Sequence, residues 1–63
     1  MTVYVNDKPV MVFRGARARN ALIKYYKQLG QRIAVENLLI TDRWGNTLSD
    51  DSPLMENEKI YAK

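Results

Sequence analysis

Between Gly15 and Gly30 the chain reads GARARNALIKYYKQLG, the one long stretch in which apolar residues recur at helical spacing. At about 100° per residue, Ala18, Leu22, Tyr25 and Leu29 fall on one stripe, with Ala21 and Tyr26 beside it, while Asn20, Lys24 and Lys27 point away. Such a stripe must be covered, and the remaining apolar segments are short and β-like. One helix lying across a sheet is the expected arrangement.

Thr2 to Asn6 and Val10 to Arg14 are rich in β-branched and aromatic residues and flank Asn6-Asp7-Lys8-Pro9, a turn sequence. They predict a hairpin. Alternation places Val3, Val5, Val10 and Val12 on one face and Tyr4, Met11 and Phe13 on the other. Gly15 turns the chain into the helix, and Gly30 stands where a helix end needs a left-handed residue. Ile33 and Val35 read as a short strand or a packed loop. Leu38 to Asp42 reads as a strand, Arg43-Trp44-Gly45-Asn46 as a tight turn and Thr47-Leu48 as a short return. Ser49 to Pro53 is loop, Leu54 and Met55 are expected to pack beneath it, and Lys59 to Lys63 forms the last strand. A hairpin followed by a helix requires the next strand to join the same sheet by a crossover, so the class is α+β with a mixed sheet of four to five strands in the order ββαβ(β)β.

With 63 residues the chain is one domain, residues 1–63, and folding at this size buries only about 60% of the unfolded chain's surface. It contains no cysteine and no histidine. Disulfides, thiolate metal sites and cysteine nucleophiles are thereby excluded, and so is the commonest general base. The absence of cysteine leans towards a cytoplasmic protein. The opening MTVYVNDKPV has no basic segment followed by an apolar run, and no stretch nears the roughly 18 consecutive apolar residues of a membrane span, so a soluble protein without an export signal is expected. Net charge is +3, but unevenly spread. Residues 1–32 carry seven basic side chains against one acidic, and residues 33–63 carry three basic against six acidic. A chain polarised in this way steers charged partners to one side.

The element order resembles the β-grasp (ubiquitin-like) superfamily. Val3-Tyr4-Val5-Asn6-Asp7, Val10 to Ala16 and Ala21-Leu22 are similar to the opening of its small sulfur-carrier branch, which serves thiamine and molybdopterin synthesis. Leu48 to Ile60 resembles the turn and strand with which many ubiquitin-like domains end. The resemblance implies a β-grasp fold and docking through the sheet. It does not extend to the chemistry, because sulfur carriers are thiocarboxylated on a Gly-Gly tail where this sequence reads Tyr61-Ala62-Lys63, and plant-type ferredoxins require four cysteines.

Two surfaces stand out. Arg14, Arg17 and Arg19 crowd the start of the helix, where the macrodipole is already positive and no Ser, Thr, Asp or Asn immediately precedes the helix. Each nearby charge is unfavourable there by about 0.3–1 kcal/mol. With the free amides of Gly15 to Ala18 they would form an anion site; as solvated arginines they would tolerate the small penalty. On the outer sheet face, Tyr4, Met11, Phe13 and Tyr61 would form an aromatic patch that a single helix cannot cover. It is expected to bind a protein partner or a second copy. Stacking of RNA bases on Tyr4 and Phe13 is the less favoured alternative, since the acidic second half would repel a wrapped strand. Trp44 is expected to fold over the core edge, and Asp50 and Asp51 to form a turn rather than a metal site. No cofactor and no catalytic residue are expected. A non-catalytic interaction module is the function expected first, and a divergent sulfur-carrier-like protein second.

Overall fold

Asn6 and Asp7 both adopt left-handed backbone angles, with φ of 51° and 68°. This is what a two-residue type I′ hairpin turn requires, and Asn and Asp tolerate it better than other side chains. In this computed structural model, which describes residues 1–63, strand β1 (Thr2–Val5) therefore returns at once as β2 (Lys8–Met11). The turn is two residues shorter than the composition of Asn6-Asp7-Lys8-Pro9 suggests. Val3 pairs with Val10 and Tyr4 with Pro9. Past Met11 the pairing continues, since the Val12 amide donates to the Met1 carbonyl at 2.8 Å.

Helix α1 (Ala18–Gln28) starts three residues later than the glycine at 15, because Ala16 and Arg17 are drawn into contact with the segment before Leu54. Leu54 donates its amide to the Ala16 carbonyl at 3.0 Å, and Arg17 bridges to Pro53. At the other end Gly30 has φ 73°, with its amide bonded to Lys27 and that of Gln31 to Tyr26. This double bond pattern closes the helix. Leu29, the last residue before this turn, keeps its helical bond to Tyr25 yet is 46% exposed, so it does not join the core, contrary to expectation. Val35, in a single 3₁₀ turn at Val35–Asn37, is buried and packs towards the helix instead.

Strands β3 (Ile40–Asp42), β4 (Thr47–Leu48) and β5 (Lys59–Ala62) complete one five-stranded sheet in the order β2-β1-β5-β3-β4. Strand β5 runs parallel to β1 and antiparallel to β3, which makes the sheet mixed. The architecture is thus α+β, with α1 packed against one face. Beyond β5, Lys63 exchanges both backbone hydrogen bonds with Leu39 at 3.1 Å. Val3, Val5, Val10, Val12, Ile40 and Ile60 face the helix and meet Ala18, Ala21, Leu22 and Tyr25. No polar residue is buried among them. No helix is long and apolar enough to cross a membrane.

Asp42 shapes the turn between β3 and β4. Its Oδ1 accepts the amides of Trp44 and Asn46, each at 2.9 Å, and its Oδ2 accepts the Asn46 side-chain amide at 3.1 Å. Partial desolvation pushes this carboxyl upward, but hydrogen bonds from Asn46, Trp44 and Gly45 outweigh it and hold the pKa below its ordinary value. The folded pKa is depressed, so the carboxylate's contribution is complete above the unfolded value near about 3.9 and is lost as pH falls through the folded one. Acid titration followed by amide spectra is expected to loosen Trp44 and Asn46 before the core strands; simultaneous loss of both would remove this role from Asp42.

Candidate functional site

Strand β2 is an edge, and the groove between that edge and α1 is where exposed apolar surface gathers. Met11, Val12 and Phe13 form one wall and Asn20, Ile23 and Lys24 the other, enclosing about 490 Å³. Met11 is 62%, Phe13 63% and Ile23 54% exposed. Each is placed by local sequence logic. Met11 and Phe13 alternate with the buried Val10 and Val12, and Ile23 stands on the polar side of the helix, three residues after Asn20 and four before Lys27.

The patch expected from Tyr4, Met11, Phe13 and Tyr61 thus reaches the groove at its Met11 and Phe13 end. Tyr4 and Tyr61 are half-buried on the outer sheet face, where Tyr4 lies between Pro9 and Lys59 and Tyr61 lies opposite Thr41. The Tyr61 hydroxyl donates to Asp7 Oδ1 at 3.0 Å, and this bond, with desolvation, holds its pKa above the usual tyrosine value. Met11 and Phe13 also line the groove, Met11 while its Sδ accepts the Thr2 hydroxyl at 3.2 Å on the outer face. Ile23 was not marked by the helical stripe, although an aliphatic side chain among Asn20, Lys24 and Lys27 was a legible signal.

Two features of the β2 edge oppose the addition of another strand. The Tyr4 amide points to Glu58, at 2.8 Å, so Pro9 opposite it turns its backbone outward. Proline has no N–H to offer there. The next outward carbonyl, that of Met11, accepts the Lys24 ammonium. Both are devices that discourage pairing at an edge.

At the helix start the structure corrects the expectation of free amides. Ala16 donates to Phe13, Ala18 to Ser52 at 2.9 Å and Arg19 to Asp50 at 2.8 Å. The Arg17 amide is taken by Asn20 Oδ1 at 2.8 Å, so a residue inside the helix caps it from the third position. Asp51 supplies the anion: its carboxylate pairs with Arg19 and lies 3.5 Å from the Arg17 guanidinium, whose Nη1 also donates to the Asp51 carbonyl at 2.8 Å. Both pairs are solvent-exposed and contribute at most about 1 kcal/mol each. What they settle is occupancy, since the loop at 49–52 fills the place where a ligand would sit. Arg14 is exposed and stands outside this arrangement.

Trp44 is also corrected. It is 74% exposed rather than folded over the core, and the Arg43 guanidinium lies 4.7 Å from its ring centre. The reason is the Asp42 network, which closes the turn on itself and leaves no slack for the ring to reach back. Met55, expected beneath the loop, is 75% exposed, whereas Leu54 beside it is buried. The chain matches no family model, and no curated protein or solved structure matches it.

Proposed function

We propose that this chain is a β-grasp domain that acts by binding, docking on another protein through the groove between β2 and α1. The strand order, with β1 and β5 parallel at the centre and one helix across the sheet, is compatible with that fold. One observation carries the binding role. Three large apolar side chains from two different elements converge on one concavity while each remains more than half exposed. Surface of that kind lowers solubility unless a partner covers it, and burying such side chains supplies most of the energy of a typical interface. Lys24 lines it without a carboxylate within 4.0 Å, favouring a partner with an acidic group at its rim.

Phe13→Ser tests this reading. The variant is expected to fold as the parent does, because the side chain is largely in solvent. Proteins retained from a cell extract by the immobilised parent chain should be lost with Phe13→Ser and kept with the control Gln28→Ala. Equal retention by all three would show that the groove is not the docking surface.

A further inference from the structure

The groove does not end at Lys24. Ile23 also lines two further clefts of about 500 Å³ each, one along α1 beside Lys27 and the other past the helix end beside Tyr26, Arg32 and Ile33. It is thus the centre of one continuous surface, with Met11 and Phe13 at one end and Tyr26 and Ile33 at the other. The charge of this surface has a single sign. Lys24, Lys27 and Arg32 line it, no aspartate or glutamate does, and none of the three cations has a carboxylate within 4.0 Å. The Lys24 ammonium donates to the Met11 carbonyl and keeps two further protons to offer.

We infer that this surface takes an amphipathic helix of a partner protein, lying along α1 with carboxylates beside its apolar stripe. The inference rests on the reading of the groove as a docking surface, and it names what docks there. Three cations free of carboxylates around an apolar centre match a stripe flanked by glutamate or aspartate. The backbone of the occupant is set by the β2 edge. An extended segment needs main-chain partners, and there Pro9 has no amide and the Met11 carbonyl is already taken. A helix satisfies its own backbone and asks only for side-chain contacts. Between Asn20 and Lys27 the axis of α1 rises about 10 Å, two turns, so apolar residues at i, i+3 or i+4 and i+7 of the partner span the same length. Ile23 then lies opposite the middle one. A phosphate backbone would meet the cations but leave Met11, Ile23 and Ile33 uncovered.

A display library of single helices with randomised surface positions, selected on the immobilised full chain, tests it. The enriched helices are expected to carry leucine, isoleucine, phenylalanine or methionine at i, i+3 or i+4 and i+7, with an excess of glutamate and aspartate beside that stripe. Their affinity should fall about tenfold or more for Lys27→Glu combined with Arg32→Glu, and likewise for Ile23→Glu, all at exposed positions. The same reversal at Lys59 and Lys63, which lie outside the surface and are also exposed, changes the net charge equally and should leave affinity unchanged. Enrichment of neutral or basic helices, no enrichment at all, or binding that survives Ile23→Glu would overturn the proposal. So would equal weakening by the Lys59 and Lys63 pair. Tighter binding of a short single-stranded RNA than of any enriched helix would assign the cations to phosphate and overturn it as well. Proteins retained from extract that are lost with Phe13→Ser but kept with Lys27→Glu and Arg32→Glu would sink the acidic helix alone, and the groove would still stand as a docking surface.

Discussion

Leu22→Ala is expected to destabilise the fold by about 2–5 kcal/mol, read as a lower urea midpoint with little change in slope. Leu22 is fully buried, faces the sheet from the middle of α1, and is one of the five largest side chains excluded from solvent. Its removal forfeits the transfer energy of the deleted atoms and leaves a cavity between helix and sheet that neither can fill without moving. A domain of this length has a total stability of only about 3–9 kcal/mol, so the variant is expected to be partly or wholly unfolded at 37 °C. An effect below about 1 kcal/mol would mean that the helix does not pack on the sheet through this stripe.

Asn6→Ala should lose about 2–4 kcal/mol from two separate causes. The Asn6 side chain reaches across to the end of β5, accepting the Ala62 amide at 3.0 Å and donating to the Ala62 carbonyl at 3.4 Å. It takes the place of a strand residue that β1 no longer has, because the hairpin turn has already begun. Alanine leaves both Ala62 groups without that partner, and it also pays the steric penalty of a left-handed φ that asparagine bears more easily. Asn6→Gly separates the two, since it loses the same hydrogen bonds but is free of the backbone penalty. Thermal denaturation should therefore rank parent above Asn6→Gly above Asn6→Ala. Equal losses in the two variants would show that backbone strain has no part in the effect.

The groove beside β2 and the turn at Trp44 are products of different kinds of decision. Met11 and Phe13 could be placed on the solvent side of the hairpin by alternation alone, since Val10 and Val12 must face inward. Which other residues they would meet could not. Alternation assigns a face, and the β2 edge lies at the limit of that face, close enough to α1 for Met11 and Phe13 to share a groove with Ile23 while Tyr4 and Tyr61 stay on the sheet. The arginines at the helix start show the same limit. Their local excess of positive charge was visible in the sequence, but the partner that satisfies it, Asp51, is more than 30 residues away and arrives only because Leu54 is pulled into the core.

Periodicity, turn chemistry and residue type determined the elements by themselves: a hairpin turning within Asn6-Asp7-Lys8-Pro9, an amphipathic helix ended at Gly30, the inward valines, and the absence of any cysteine or histidine chemistry. These are local properties, governed by backbone angles and by side-chain spacing within a few residues. The tertiary structure alone decided the surfaces, namely the seat of β5 between β1 and β3, the capping of α1 by the loop at 49–52, the closed edge of β2, and the outward Trp44. Each depends on contacts between segments distant in the chain, and their geometry is set by how the core closes rather than by any preference written at the residues themselves.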